Sequence, residues 1–212
     1  MKQAVFFDLD GTLWDAVSSI QESWNQTMER LGMKYRYDQS IILSTMGLTP
    51  EETLPITFYD STEEEGRSLF RECIRDEIRY LGKHPGILYP NEKEVLEELR
   101  TICPLYIVSN ADKGYIENYI EACHMEKYFK GYLQAGDTGL DKWQNILYLQ
   151  KKEGIDEVIY VGDTDKDRRE SEKAGAHFIH ASYGFGKIDV PCEKIRSLTE
   201  LIPLIRTHFL DN

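Results

Sequence analysis

Two aspartates follow a short apolar run near the start of the chain, in the segment Val5-Phe6-Phe7-Asp8-Leu9-Asp10-Gly11-Thr12-Leu13. The apolar run predicts a buried strand, and side chains at positions i and i+2 of a strand lie on the same face. The carboxylates of Asp8 and Asp10 would therefore repel each other unless a cation compensates their charge. A strand that simply ends at polar residues is the alternative, but it does not account for an Asp-x-Asp-Gly-Thr order at this place.

The composition is that of an ordinary globular protein, with 41% hydrophobic and 29% charged residues among 212. We expect a cytoplasmic protein without a membrane partner, because there is no leader pattern and no apolar run near the roughly 20 residues of a membrane span. The net charge of −12 argues against a nucleic-acid partner, since phosphate backbones are bound by basic surfaces. The 4 cysteines have no C-x-x-C spacing, which predicts free thiols and no zinc site.

Strand and helix patterns alternate after about residue 85. The predicted strands cover residues 105–108, 132–135, 158–161 and 176–180, and the predicted helices cover residues 91–102, 112–123, 141–152 and 163–174. Such alternation predicts an α/β fold, in which a doubly wound parallel sheet is covered by helices on both faces.

The region between the first strand and this alternating part has a different pattern. Its helical periodicities cover residues 16–31, 39–45, 50–59 and 62–81, and it contains no strand-like apolar run. We therefore predict a catalytic core formed by residues 1–14 and 85–212, with an inserted α-helical cap domain at residues 15–84.

Polar residues that suit phosphate chemistry follow the predicted strands. Ser109 and Asn110 follow one strand, Asp163 and Asp167 follow another, and Lys142 opens a helix. The carboxyl ends of parallel strands meet at one edge of the sheet, where ligands bind. A hydroxyl and a lysine suit a phosphate group, and carboxylates suit Mg²⁺. Taken singly, Ser-Asn is more often a helix cap and a lone lysine is more often a surface residue, so the joint placement carries the argument.

These motifs resemble those of the haloacid dehalogenase (HAD) superfamily of phosphatases, in the phosphoglycolate phosphatase-like branch with a helical C1 cap. The matching segments are residues 6–13, 107–110 and 161–167, with Lys142 as the candidate for the lysine of the third motif, although Trp143 stands where relatives commonly have Pro. Residues 174–176 and 183–186 also resemble this branch. The resemblance covers nearly the whole chain and implies a HAD-like Rossmannoid core with an inserted cap.

The resemblance implies a Mg²⁺-dependent phosphatase that hydrolyses a small phosphorylated metabolite through an aspartyl-phosphate intermediate, as a monomer or homodimer. It implies that Asp8 is the nucleophile and that Asp10 is the general acid and base. The implied metal ligands are Asp8, the carbonyl of Asp10, Asp163 and, through water, Asp167. The implied phosphate-binding residues are Thr12, Ser109, Asn110 and Lys142. Asp165, in the same loop, is expected to be an N-cap or a solvated charge.

Substrate specificity is expected to depend on the loop at residues 45–51. It resembles the cap loop that reaches the leaving group in relatives, which points to Met46, Gly47, Leu48 and Glu51. The alternative is an ordinary turn between helices, with Pro50 at a helix start.

Other activities on the same fold are alternatives. A β-phosphoglucomutase-like phosphomutase would resemble this chain but carries a His in its first cap helix, where Ile20 stands here. A dehalogenase would lack the second acid, Asp10. A pyrophosphatase remains open, and a non-catalytic binding protein is disfavoured because relatives of that kind lose the nucleophile or the metal-binding acids.

Overall fold

The computed structural model describes residues 2–210 and contains a six-stranded parallel sheet and a separate ribbon of two short strands. The strands are β1 (Gln3–Phe7), β2 (Trp14–Asp15), β3 (Ile87–Leu88), β4 (Leu105–Ser109), β5 (Gly131–Gln134), β6 (Glu157–Gly162), β7 (His177–Ala181) and β8 (Glu193–Ile195). The order across the sheet is β5-β4-β1-β6-β7-β8, with parallel neighbours throughout. The strand that Asp8 follows, β1, therefore lies in the middle of the sheet, between β4 and β6.

Ten α-helices accompany the strands in the described part of the chain. They are α1 (Val17–Arg30), α2 (Gln39–Thr45), α3 (Pro50–Thr57), α4 (Glu63–Leu81), α5 (Glu92–Ile102), α6 (Tyr115–Cys123), α7 (Ala135–Thr138), α8 (Lys142–Glu153), α9 (Asp165–Lys173) and α10 (Leu201–Leu210). A 3₁₀ turn at Leu198–Glu200 precedes α10. No helix within residues 2–210 has the length and apolar character needed to cross a membrane.

Side chains alternate between the two faces of the sheet. Val5 and Phe7 belong to an apolar cluster that α5, α6 and α10 cover, whereas Ala4 and Phe6 belong to a second cluster that α8 and α9 cover. Both faces are buried, which explains why the strand read as a continuous apolar run. The predicted doubly wound α/β core is confirmed.

The structure differs from the sequence prediction at several element ends. The helix predicted from residue 112 begins at Tyr115, because Gly114 has a left-handed backbone, with φ of 95°, at the N-cap. The helix predicted from residue 163 begins at Asp165, because the Thr164 side chain caps it. Asp165 is therefore not the N-cap; it forms ion pairs with Arg168 and Arg169. The patterns missed β8, α7 and α10, of which the first two are only three and four residues long.

Four helices, α1 to α4, lie between β2 and β3 and are called the cap region below. The sequence pattern predicts no strand where the cap region joins the core. In the structure, β2 and β3 form an antiparallel ribbon there, which pairs Trp14 with Leu88 and Asp15 with Ile87. The ribbon holds the two ends of the cap region side by side. The division into core and cap at residues 15 and 84 itself stays a prediction.

The interior of the cap region is aromatic. Trp24 packs edge-on against Tyr37 and Phe70 and stacks on Phe58. Its apolar cluster is continuous with the cluster on one face of the sheet. The cap region is therefore fixed to the core by shared apolar packing as well as by the ribbon.

Candidate active site

A cavity of about 110 Å³ lies between the carboxyl ends of the central strands and the cap region. The core contributes Asp8, Asp10, Ser109, Asn110, Ala111, Asp112, Tyr115 and Lys142, and the cap region and its loop contribute Ile20, Thr45, Met46, Gly47, Leu48, Pro50, Thr53, Phe70, Ile74 and Glu77. Since a single water needs about 10–15 Å³ by the same kind of measure, the space suits a small metabolite.

Lys142 connects the first and the last of the predicted motifs. Its Nζ donates to Asp8 Oδ1 over 2.9 Å and to Asp167 Oδ1 over 2.5 Å, and all three side chains are buried. Burial by itself would lower the pKa of Lys142, but the charges of Asp167 and Asp8 raise it well above its ordinary value. The lysine is therefore charged and lies between the acids of the first and last motifs, and its assignment to the third motif stays a prediction.

Asp163 is held by the loop that follows β7. The backbone N–H groups of Phe185 and Gly186 donate to Asp163 Oδ2 over 2.7 and 3.1 Å. A Cβ on Gly184 would lie 2.2 Å from the Gly11 carbonyl oxygen, and one on Gly11 would lie 2.3 Å from Asp163 Oδ2. A larger residue would therefore not fit at Gly11 of the first motif or at Gly184, because both segments approach Asp163 closely.

Three buried carboxylates form a candidate metal centre. One oxygen each of Asp8, Asp163 and Asp167 lies within 4.8 Å of the others. Asp163 Oδ1 is buried and has no hydrogen-bond partner among residues 2–210. Burial and the neighbouring acids raise the pKa of Asp163 well above its ordinary value, and burial, with Asp167, raises that of Asp8 to about 6. An orphaned carboxylate oxygen beside two further carboxylates fits a hard cation such as Mg²⁺.

Asp10 has a different environment from these three acids. Its Oδ1 accepts hydrogen bonds from Tyr115 Oη over 2.7 Å and from Trp14 Nε1 over 3.0 Å. Burial raises the pKa of Asp10 to about 7 in spite of both donors. Its carboxylate is not a member of the acidic cluster, so a metal contact by this residue rests on the predicted backbone carbonyl. A carboxyl group that is fixed by two donors and holds its proton near neutral pH suits a general acid.

The predicted phosphate-binding residues do not all reach the cavity. Ser109, Asn110 and Lys142 line it, and the Asn110 amide also donates to the Gly47 carbonyl of the cap loop over 3.2 Å. Thr12 is fully buried outside the cavity lining, and its hydroxyl has no hydrogen-bond partner in the described chain. A direct contact between Thr12 and the phosphate group therefore stays a prediction. The buried position of Thr12 outside the cavity lining does not favour it.

The cap loop reaches the cavity with three of its four predicted residues. Met46, Gly47 and Leu48 line the cavity as expected, but Glu51 does not. Glu51 lies on α3 and forms a 3.0 Å ion pair with Arg67 of α4, because the first turn of α3 directs it away from the cavity. Pro50 starts α3, so the loop is also the ordinary helix connection that was its alternative interpretation.

Sequence reasoning missed the contributions of Trp14, Tyr115 and Glu77. None of them lies in a motif; Tyr115 reaches Asp10 only through the fold, whereas Trp14 is four residues from it in the chain. Glu77 did have a detectable pattern: Phe70, Ile74 and Leu81 form an apolar stripe along α4, and Glu77 stands where the stripe predicts an apolar side chain. A charged residue on a buried stripe is a reason to look for a functional role.

Comparisons with known proteins agree with this arrangement. The model of the haloacid dehalogenase-like hydrolase family matches residues 5–181. A phosphoglycolate phosphatase of Vibrio parahaemolyticus is 26% identical over 196 residues, covering 85% of this chain and 84% of that protein. One of Aquifex aeolicus is 25% identical over 218 residues, covering 99% of both. A solved haloacid dehalogenase-like hydrolase of Streptococcus pneumoniae superposes with a TM-score of 0.83 at 22% identity, over 96% of this chain and 98% of that chain.

The family match covers both the aspartates that follow β1 and the acidic loop that follows β6, and these two segments meet at one edge of the sheet. The chain therefore belongs to the haloacid dehalogenase-like hydrolase family, with curated relatives among its phosphatases.

Proposed function

We propose that this chain, a phosphatase of the haloacid dehalogenase-like family, hydrolyses a small phosphate monoester with Mg²⁺ through an aspartyl-phosphate on Asp8. The proposal rests on one observation. Four charged side chains meet at the carboxyl ends of the central strands, beside a cavity that the cap region covers: Asp8, Asp163, Asp167 and Lys142. Anionic oxygens and one fixed cation at this place suit a phosphoryl group and its metal ion.

The chemistry requires two carboxyl groups in different protonation states. An oxygen of ionised Asp8 attacks phosphorus, and the bond between phosphorus and the ester oxygen breaks. Asp10 gives its proton to the departing alkoxide, which leaves as an alcohol. A water molecule then attacks the phosphorus of the aspartyl-phosphate while Asp10 takes its proton, so that inorganic phosphate leaves and both acids return to their initial states. The raised pKa of Asp10, about 7, supports its holding a proton before the first step.

The remaining polar groups orient and stabilise the transferred phosphoryl group. Lys142 and Ser109 would contact its equatorial oxygens, together with the Asn110 backbone N–H, and the charge of Lys142 would offset charge that develops on them. Asp8, the Asp10 carbonyl, Asp163 and Asp167 would hold Mg²⁺, which supplies charge neutralisation between nucleophile and phosphate. Asp167 also accepts from the Thr164 backbone and hydroxyl, and these hydrogen bonds would fix its orientation.

A phosphomutase is the second candidate on this fold, and one residue argues against it. Ile20, on the first helix of the cap region, lines the cavity. An aliphatic side chain cannot exchange protons with a sugar phosphate, as the His of the mutase branch does. Hydrolysis, which needs only Asp10 for proton transfer, fits the residues present.

The proposal is tested by assaying the purified protein on a panel of small phosphate monoesters, inorganic pyrophosphate and a phosphopeptide. We expect phosphate release from small monoesters that requires Mg²⁺ and stops in excess chelator. Ca²⁺ should substitute poorly, because its larger and more flexible coordination misplaces the nucleophile. Full activity in chelator, or the phosphopeptide as the best substrate, would contradict the proposal.

A further inference from the structure

Glu77 is a buried carboxyl group in the cap-side wall of the cavity. It lies on α4, is 5% exposed, and lines the cavity together with the apolar side chains of Phe70 and Ile74. Trp24 Nε1 donates to its Oε2 over 2.5 Å. Its other oxygen, Oε1, has no hydrogen-bond partner in the described part of the chain. A carboxyl oxygen without a protein partner on a residue of the cavity wall is a candidate for contact with a ligand.

The charges around the cavity are unevenly distributed. Four acids line it, namely Asp8, Asp10, Glu77 and Asp112, and within residues 2–210 the only Lys, Arg or His in its lining is Lys142. Both carboxylate partners of Lys142 belong to the phosphate end of the cavity. No cation therefore faces the leaving group at the cap end among the described residues that line the cavity. A leaving group with its own carboxylate or second phosphate would find no cation at this end of the cavity and would repel the ionised form of Glu77.

We propose that Glu77 selects phosphate esters whose leaving alcohol carries a hydrogen-bond donor at its far end, an ammonium group best and a hydroxyl next, and rejects those that carry an anion. This inference rests on the proposed phosphatase function and specifies its substrate class. It separates this chain from its curated relatives, because phosphoglycolate carries a carboxylate at that position.

The surroundings of Glu77 suit this selection. Burial, with Asp10 and Asp112 nearby, raises the pKa of Glu77 to about 8, whereas the Trp24 hydrogen bond favours the ionised form, so the carboxyl group is largely protonated at neutral pH when no cation is near it. A neighbouring ammonium group would favour the ionised form further and give Oε1 its missing donor. A site built to receive a donor rejects analogues that lack one, because its buried polar group is then left unpaired.

Three esters of nearly equal size isolate the charge at the far end: phosphoethanolamine, 2-hydroxyethyl phosphate and 2-phosphoglycolate. We expect kcat/KM to fall in that order, with phosphoglycolate about ten-fold or more below phosphoethanolamine. For any ester that is not turned over, its inhibition constant against the best substrate of the monoester panel gives the same ranking. A ranking with phosphoglycolate first would overturn the inference, whether or not any variant folds.

Glu77→Gln identifies the residue responsible. We expect it to reduce the ratio of kcat/KM for phosphoethanolamine to that for phosphoglycolate by about ten-fold or more, mainly through KM. Glu92→Gln is the matched control, since Glu92 is an equally buried acid that accepts from an aromatic donor, Tyr119, outside the cavity lining. It should leave the ratio unchanged.

The outcomes separate this inference from the proposed function. Phosphate release with no preference among the three esters, or a Glu77→Gln variant with an unchanged ratio, refutes the role of Glu77 and leaves the phosphatase assignment standing. Absence of phosphate release from every ester, with or without Mg²⁺, refutes the proposed function itself, and with it this inference.

Discussion

The two walls of the cavity are built on opposite principles. On the core side, carboxylates and a lysine are buried in direct contact, and Lys142 donates to both Asp8 and Asp167. On the cap side, the apolar residues Ile20, Phe70 and Ile74 line the cavity together with the carboxyl group of Glu77. The core wall depends on mutual charge compensation, whereas the cap wall depends on apolar packing around one acid. We infer that residues of the core wall carry out the phosphoryl transfer and that residues of the cap wall determine substrate specificity.

Removal of the cation from the core wall should have the largest effect. Lys142→Met leaves Asp8 and Asp167 buried without their shared partner, which should cost about 3–5 kcal/mol of unfolding free energy. Phosphatase activity should fall by more than about 100-fold, because an interaction with the transferred phosphoryl group is lost. Denaturant titration measures the first effect, and added Mg²⁺ should raise the stability of the variant more than that of the wild type. A variant as stable as wild type would refute charge compensation as the basis of this wall.

The pH dependence of unfolding tests how a buried acid of the core affects stability. Glu92, in the core, accepts from Tyr119 Oη over 2.5 Å, and its Oε2 is buried without a partner in the described chain. Burial raises its pKa from 4.5 to about 8. The folded chain therefore binds a proton that the unfolded chain releases, so the stabilisation is complete below about pH 4.5 and is lost as the pH rises through 8.

Glu92→Gln removes this dependence on pH. The unfolding free energy of the variant, relative to wild type, should increase between pH 5 and pH 8.5 by up to roughly 4 kcal/mol, since each pKa unit corresponds to about 1.4 kcal/mol. Thermal and denaturant unfolding at several pH values measure the difference. A difference that is independent of pH would mean that Glu92 is already ionised in the folded chain.

Two tyrosines one turn apart on α6 test the positioning of the general acid. Tyr115 donates to Asp10, whereas Tyr119 donates to Glu92. Tyr115→Phe should lower kcat about ten-fold and leave KM within about two-fold, because Asp10 is less well oriented while substrate binding is retained. Tyr119→Phe is the control and should leave kcat unchanged. Equal effects of both substitutions on kcat would indicate a general role of α6 in stability.

The smallest effect is expected where the two regions meet at the surface. Lys166 of α9 forms a 2.6 Å ion pair with Glu52 of α3, and both side chains are partly exposed. Lys166→Met should change KM by no more than about two- to three-fold, because exposed pairs contribute about 0–1 kcal/mol. A ten-fold change would mean that this pair, more than the shared apolar cluster, holds the cap region over the core.

The sequence was informative about the two walls to different degrees. Asp8, Asp163 and Lys142 could be predicted because each follows or precedes a strong strand or helix pattern, and the parallel sheet brings strand ends together. The contact of Tyr115 with Asp10 could not be predicted, since it joins residues 105 positions apart, whereas Trp14 lies four residues after Asp10 and was missed because it stands outside the motif. Glu51 lies outside the cavity lining and pairs with Arg67, because one helical turn decides whether a side chain faces the cavity or α4, so its role in specificity stays a prediction. Long-range packing, which local patterns do not encode, determines the cap wall.

The central claim is that Asp8 is the nucleophile. Rapid quenching of the wild-type protein with a radiolabelled phosphate ester and Mg²⁺ should trap phosphate on the peptide that contains Asp8. The Asp8→Asn variant, which replaces the nucleophilic oxygen with an amide, should bind the ester, form no phosphoenzyme and lose turnover by more than about a thousand-fold. A variant that keeps wild-type turnover, or a wild-type protein that releases phosphate without any trapped phosphoenzyme, would contradict the account.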